Sequence, residues 1–195
     1  MLYIIRHGQT EGNAAKRLQG RGDNPLNEVG IEQAREVGAR LERAGVRFAH
    51  VYTSPLLRAV RTAEIVAPGV ARTVDERLIE MDYGPYEGMS LDDPAPEVLA
   101  FFKDFAHTPA PDGMEQLQEI VGRMGSLVED LRETASHEDI LLSTHAIAMK
   151  GALEYLTPDS EGSYWSTYIG NCEVYVCGIG ADGAWSVPCK WEWQG

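Results

Sequence analysis

Apolar residues in this chain fall into short blocks that alternate between strand-like runs and helical spacing. Leu2-Tyr3-Ile4-Ile5 is an unbroken apolar run that ends on Arg6-His7-Gly8. Asp139-Ile140-Leu141-Leu142-Ser143-Thr144 repeats the design and ends on His145. Short apolar runs bounded by turn signals predict strands buried on both faces, as in the middle of a parallel sheet. Residues 48–53 predict another strand, and residues 72–75 a short edge strand. Over residues 27–44, Val29, Ile31, Ala34, Val37, Ala39, Leu41 and Ala44 recur at near-helical spacing until Gly45, which predicts a surface helix with a glycine stop.

Ser54 and Pro55 predict the N-cap and first position of a helix that carries Arg58 in its first turn. Residues 114–136 predict a long helix. Residues 146–156 predict another, stopped by Thr157-Pro158, and strand-like runs at 173–179 and 185–191 close the chain. Ahead of the long helix, residues 89–112 hold Pro94, Pro96, Pro109 and Pro111 around Val98, Leu99, Phe101, Phe102 and Phe105. That stretch reads as a helical cap over one end of the sheet. Strands alternating with helices predict an α/β fold. The expected architecture is a three-layer sandwich with a mainly parallel central sheet flanked by helices. The expected organisation is one domain over residues 1–195, with the cap at about 89–113.

Charge narrows the partners. At 195 residues the chain carries a formal net charge of −13, and no basic run offers the phosphate contacts that nucleic acid requires. An anionic ligand therefore needs a local positive pocket in an acidic molecule. No apolar stretch reaches membrane-spanning length and no leader pattern precedes the first strand, so the expectation is a cytoplasmic protein with no membrane partner. Cys172, Cys177 and Cys189 lack a paired-ligand spacing and read as reduced structural thiols, the first two on opposite faces of a sheet.

Open α/β sheets bind ligands beyond the carboxyl ends of their strands. Three such ends present Arg6-His7, Arg58 and His145, and one acidic, glycine-punctuated loop presents Glu80. A histidine beside fixed cations, with Gly8 admitting close backbone approach, suits phosphate.

The chain here resembles the histidine phosphatase superfamily, the phosphoglycerate-mutase-like group. The resemblance rests on Arg6-His7-Gly8-Gln9-Thr10-Glu11-Gly12-Asn13, on Leu26 with Gly30, and on Ser54-Pro55-Leu56-Leu57-Arg58-Ala59 with Thr62-Ala63. It extends to Leu78-Ile79-Glu80 with Gly84, Glu87 and Gly88, and to Ser143-Thr144-His145. It implies that His7 is a nucleophile forming a phosphohistidine, and that Arg6, Arg58 and His145 surround the phosphoryl oxygens with Asn13 as a neutral donor. Glu80 is then the proton donor to the leaving oxygen and later the base that activates water. Gln19, Gly20 and the backbone of Ala146 are expected at the substrate, and no cofactor or metal is expected. The activity implied is hydrolysis of a small phosphorylated metabolite. A cofactor-dependent phosphoglycerate mutase is the alternative, and a non-catalytic phospholigand-binding protein a third reading.

An attacking imidazole needs its other N–H held by an acceptor such as a backbone carbonyl. His145 has the opposite task of donating to a phosphate oxygen, which favours its protonated form. Three features depart from the family pattern. Ala146 stands where glycine is usual, Gly12 where the mutases usually carry tryptophan, and Asp112-Gly113-Met114-Glu115 where Gly-Glu-Ser is frequent. Asp82 and Glu87 compete with Glu80 for the acid role. Of His50, His107 and His137, only His107 lies in a segment placed to reach the site. The cap phenylalanines read as cap core before substrate platform. The sequence does not indicate an oligomeric state.

Overall fold

The computed structural model describes residues 1–105 and 107–192. Ala106 of the expected cap and the last three residues of the expected domain lie outside the described residues. Six strands build one sheet in the order β3-β2-β4-β1-β5-β6. They are β1 (Leu2–Arg6), β2 (Phe48–Thr53), β3 (Arg72–Val74), β4 (Asp139–Thr144), β5 (Val174–Cys177) and β6 (Cys189–Lys190). β1 to β4 are mutually parallel, β5 is antiparallel to β1, and β6 is antiparallel to β5. The α/β expectation holds.

The helices are α1 (Glu11–Ala14), α2 (Glu28–Arg43), α3 (Leu57–Val66), α4 (Pro96–Lys103), α5 (Leu117–Asp130), α6 (Arg132–Ala135), α7 (Ala146–Leu156) and α8 (Ser163–Ser166). The two-residue alternation of a strand explains why the central runs are apolar throughout. Leu2, Ile4, Ile140 and Leu142 face a core shared with α5, α7 and Phe101 of α4. Tyr3, Ile5 and Leu141 face a second core with Ala34 and Leu41 of α2 and Ala63 and Val66 of α3. Each fully buried aliphatic side chain contributes about 1.5–3 kcal/mol, and the central strands gain this on both faces. Cys177 sits in the first core and Cys172 in the second, so they do lie on opposite sides. Cys172 nonetheless precedes β5, in a left-handed turn with φ +56°.

Three element boundaries differ from expectation. α3 begins at Leu57, and the N-cap residue Leu56 makes no side-chain cap bond. Asp23 performs that task from another loop, its carboxylate accepting from the Leu57 amide at 2.7 Å. Ser54 Oγ accepts from the Leu56 amide at 3.3 Å and is shared with a histidine described below. The long helix expected over 114–136 starts late, with a reciprocal cap between Gln116 and Glu119, because the amide of Glu115 donates to the Asp82 carbonyl instead. It also breaks at Leu131, leaving α6 as a separate turn. Of the strand expected over 185–191, Cys189–Lys190 alone pairs as one among the described residues. Pro188 lacks the N–H that a ladder needs, and Trp185 contributes only an isolated bridge to Ile179.

The register brings Arg6 level with Thr144, and Thr53 level with Ser143. Three parallel strands thus end together. The loop after β1 then passes tightly over the start of α2, where a Cβ on Gly8 would collide with the Gly30 backbone and one on Gly30 with Gln9. Glycine at both positions lets His7 turn in beneath the loop.

Candidate active site

His7 leaves β1 with its amide bonded to the Thr144 carbonyl at 2.9 Å and its side chain 4% exposed. Its Nδ1 lies 2.7 Å from the Gly8 carbonyl. A carbonyl only accepts, so Nδ1 carries the proton and Nε2 keeps a lone pair. The Gly8 amide, in turn, donates to Thr62 Oγ1 at 3.0 Å. The Nε2 lone pair meets Arg58 Nε at 3.3 Å.

Arg58 is fully buried. Its Nε–H also points at His145 Nδ1, 3.2 Å away, while Nη1 and Nη2 donate to the Gly22 and Gly20 carbonyls, each at 2.7 Å. Those glycines are fixed by Glu87, whose carboxylate accepts from both of their amides. Glu87, a competitor for the acid role, is spent as a clamp. Asp82, the other competitor, pairs with Arg21.

His145 follows β4 as the N-cap of α7 and is fully buried. With Nδ1 facing an Arg donor, its Nε2 carries the proton and donates to Ser54 Oγ at 2.7 Å. Burial is the first cause that holds both imidazoles well below their usual 6.5. The Arg6 and Arg58 charges add to it at His7, and Arg58 and His7 at His145. Both rings are therefore neutral at pH 7. For His7 that is the state a nucleophile requires. For His145 it differs from the charged donor expected from sequence, because desolvation disfavours charge until an anion approaches.

Arg6 donates from Nη1 to the Ile169 carbonyl at 2.6 Å, while its buried Nε has no partner among the described residues. The same holds for Gln19 Nε2, whose other end accepts from Thr10 at 2.8 Å. These are two of the three such buried atoms, and both belong to residues expected at the substrate. Gln19 packs directly on Gly12, where a Cβ would overlap it. Asn13 Oδ1 accepts from Thr10 and Asn171, leaving the donor end of that amide for a ligand. Gly20 reaches the site as the anchor of Arg58, its own N–H already given to Glu87.

Glu80 is 4% exposed and seated on the N-terminus of α7. Its carboxylate accepts from Ala148 at 3.0 Å, Ile147 at 3.3 Å and Met81 at 2.9 Å, where helix amides favour an anion. Ala146 begins that helix. Across the site, Tyr83 packs edge-on to Phe102, Phe101 and Phe105 meet at 4.7 Å, and Phe105 stacks on Trp165 at 6.3 Å. The cap phenylalanines are core at Phe101, fully buried, and half-exposed wall at Phe102 and Phe105. His107 is exposed on the cap and bonded to Asp104, and His50 pairs with Glu138 at the far edge.

A model of the histidine phosphatase superfamily (branch 1) matches residues 2–191. The chain belongs to that superfamily. A probable phosphoglycerate mutase, GpmB, of Yersinia pestis is 34% identical over 154 residues, spanning 76% of this chain and 70% of the relative. Among solved structures, Bacillus stearothermophilus YhfR superposes with TM-score 0.84 at 32% identity, over 95% of this chain and 94% of that one. A mycobacterial glucosyl-3-phosphoglycerate phosphatase in complex with VO3 gives 0.82 at 25% identity, over 95% and 96%. This histidine phosphatase fold thus occurs in proteins named for phosphatase and for mutase activity.

Several site contributors escaped the sequence reading. Asn171 donates to the His7 carbonyl at 3.0 Å, and Ile169 and Trp165 supply carbonyls to cations. They precede β5, and only because β5 runs against β1 does the segment before it arrive at the ends of the parallel strands. Ser54 was legible as a cap but not as the partner of His145. Lys150, buried in α7, signalled itself only as a lone cation in an apolar helix.

Proposed function

We propose that this chain is a metal-independent phosphomonoester hydrolase that works through a phosphohistidine on a small phosphorylated metabolite. The observation that carries this reading is the His7 geometry: Nδ1–H fixed on the Gly8 carbonyl, and a neutral Nε2 aimed into a pocket that holds Arg58. In the first step the Nε2 lone pair forms the N–P bond while the bond from phosphorus to the ester oxygen breaks. Arg6 and Arg58 stabilise the charge on the equatorial oxygens, the main demand of phosphoryl transfer. As the phosphate dianion approaches, it favours proton uptake by His145, which then donates to the same oxygens. Glu80 acts as the general acid, a proton passing from its carboxyl to the leaving alcohol as the phosphorus–oxygen bond breaks. In the second step Glu80 takes a proton from water, the water oxygen bonds to phosphorus, the N–P bond breaks, and inorganic phosphate leaves.

Among the described residues no group of His, Cys, Asp or Glu is arranged to hold a metal, and the two guanidinium groups are set where a metal would otherwise neutralise charge. Rapid quench with labelled substrate should trap a base-stable, acid-labile phosphoenzyme that His7→Ala abolishes, with activity unchanged by EDTA. Hydrolysis by His7→Ala near the wild-type rate would end this reading.

The mutase reading is favoured by one observation, the 34% identity to a probable phosphoglycerate mutase. Incubation with 3-phosphoglycerate and its bisphosphate primer separates the two. The hydrolase should release inorganic phosphate or leave the sugar acid untouched, whereas rapid primer-dependent formation of 2-phosphoglycerate would replace hydrolase with mutase.

A further inference from the structure

Ser54 has the type and place of a helix cap, yet Asp23 takes the first amide of α3 from a distant loop. Ser54 is thereby free for another task. It is fully buried just past β2, and its amide donates to the Ser143 carbonyl at 3.0 Å. Its backbone thus extends the ladder to β4, the strand that delivers His145. The Leu56 amide donates to its Oγ at 3.3 Å and fixes the rotamer. The other partner of that hydroxyl is His145 Nε2, at 2.7 Å.

A rigid acceptor at one ring nitrogen decides what the other can do. In the neutral ring Nδ1 is a lone pair, because it faces the Nε–H of Arg58 at 3.2 Å. The same N–H faces His7 Nε2 at 3.3 Å, so the two imidazole nitrogens flank one donor, with ring centres 5.1 Å apart. A phosphoryl group on His7 Nε2 therefore brings its oxygens beside His145 Nδ1. Oxygen lone pairs repel a nitrogen lone pair, and one proton on Nδ1 turns that contact into a charge-assisted hydrogen bond. Both nitrogens of the charged ring must then donate. Nδ1–H has the phosphoryl oxygens, whereas Nε2–H needs an acceptor already in place, since an unmet buried donor costs more on a charged group than on a neutral one. Ser54 Oγ is that acceptor, and it need not move.

We propose that Ser54 is a positioning residue for His145, holding Nε2–H in both charge states so that the proton the ring gains with a bound anion is placed on Nδ1. The proton comes from solvent, and no bond to Ser54 forms or breaks. The inference rests on the hydrolase reading for its catalytic consequence, but anion binding alone reports it. The groups that act on the ring are Arg58 on α3, Arg6 and His7 at the end of β1, and Arg123 on α5. Glu80 lies beside it, on the α7 amides that follow. The cations and burial both oppose a charge on His145 until an anion offsets them.

The test counts protons taken up with tungstate, a tetrahedral dianion from neutral pH upward, so that every proton counted enters the protein. Titration calorimetry in buffers of different ionisation enthalpy gives that count. Glu80 is the other proton-exchanging group of the site, and comparison with His145→Gln isolates the part due to His145. Near pH 7 the wild type should take up at least about half a proton more than His145→Gln, and this excess should fade as pH rises past the point where the bound anion no longer holds the charge. Ser54→Ala should weaken tungstate binding near pH 7 by about 5-fold or more and move that point down by about 1 pH unit. In the His145→Gln background Ser54→Ala should leave the proton count unchanged, which a general loosening of the pocket would not do. If Ser54→Ala fails to fold, Ser54→Cys, a weak acceptor of similar size, takes its place. Isotope-edited NMR of the wild type should show His145 as the Nε2–H tautomer when free and protonated on both nitrogens with tungstate bound. An Nδ1–H tautomer in either state overturns the inference, as does a His145 proton count that survives loss of the hydroxyl at every pH. Tungstate binding coupled to this proton, in a protein that hydrolyses no phosphate ester, would keep the inference and lose the hydrolase reading. An active hydrolase that binds tungstate without a proton on His145 would do the reverse.

Discussion

At the strand ends, Arg58 is fully buried and gives its N–H groups to two imidazoles and two loop carbonyls, all within 3.3 Å. On the cap side, Phe102 and Phe105 are only partly buried and meet their neighbours through ring contacts and, at Phe105, the Lys150 ammonium. The first region is specified by directional bonds to backbone, which fix each donor to within tenths of an ångström. The second is specified by packing, which tolerates exchange of one apolar shape for another. A phosphoryl group presents the same oxygens in every substrate, so its pocket gains from rigidity. A leaving group varies, and the wall that meets it can change without disturbing the chemistry.

The sharpest way to break this contrast is at Arg58. Arg58→Met removes the charge from the phosphoryl pocket and leaves the Gly20 and Gly22 carbonyls without their buried donor. A transition-state arginine contributes about 10³–10⁵-fold in phosphoryl transfer, so kcat/KM on any phosphate ester should fall by that order. Arg58→Lys should recover little of it, since one ammonium cannot serve two carbonyls and two imidazoles at once. Phe102→Ala at the cap should instead change KM by less than about 10-fold and spare kcat. Comparable losses at the two positions would show that the regions do not differ in the way described.

Glu80 stands at the junction of the regions, on a loop below the cap with its carboxylate on the α7 amides. General acid catalysis contributes about 10²–10⁴-fold, and most for poor leaving groups. Glu80→Gln should therefore slow phosphorylation steeply for an alkyl phosphate and far less for p-nitrophenyl phosphate, as resolved by pre-steady-state bursts. Equal loss on both substrates would remove Glu80 from the acid role.

The same contrast governs what was legible in the sequence. His7, Arg58 and His145 follow strand-like runs or a strand–helix junction, and the rule that ligands bind beyond strand ends picks them out with no knowledge of the pairing. Glu80 required the family resemblance, since the residues from Arg77 to Glu87 have no periodicity to read. Asn171, Ile169 and Trp165 could not be read at all, because they reach the site only through the antiparallel pairing of β5 with β1, a long-range fact. The helix boundaries failed for a related reason. Ser54 is a good cap by type, but a buried histidine 91 positions away competes for its hydroxyl, and Asp23 caps the helix from a distant loop.

A smaller effect is expected where the Glu80 loop is tied to the body of the protein. Arg123 donates to the Arg77 and Ile79 carbonyls at 2.6 and 2.7 Å and pairs with Glu115 at 2.7 Å, with side chains 16% and 9% exposed. Glu115, in the segment where the family pattern is broken, thus serves the loop from outside the site. Removing one partner of a buried pair costs about 3–5 kcal/mol, and at about 2–4 °C per kcal/mol for a chain of this size Arg123→Met should lower the melting temperature by about 6–20 °C. Its catalytic loss should mirror that of Glu80, larger for alkyl than for aryl phosphates. A variant of lowered stability whose residual activity shows no such leaving-group dependence would make Arg123 a purely structural brace.

The smallest effect lies in the pH dependence of stability, and it tests whether the phosphate end is held neutral in the free protein. In the unfolded chain both histidines titrate near 6.5, whereas in the folded protein burial and the neighbouring guanidinium groups hold them well below that value. Below pH 6.5 the unfolded state therefore binds more protons than the folded one, and stability falls as pH falls. The contribution is fully present above that value and is lost progressively down to the folded-state pKa values, at no more than about 1.4 kcal/mol per pH unit for each ring. His145→Gln removes one of the two rings. It should cost stability at pH 7.5, where Ser54 and Arg58 lose a fitted partner, but its melting temperature should then fall less steeply between pH 7 and 5.5. The gap to wild type should narrow as the solution is acidified, in buffers free of phosphate. With saturating inorganic phosphate present, the bound dianion favours the charged ring and the narrowing should diminish. A gap that stays constant with pH in phosphate-free buffer would mean that folding leaves the His145 titration unshifted, and one that widens on acidification that the ring is charged in the free protein; either would overturn the neutral pair drawn at the strand ends.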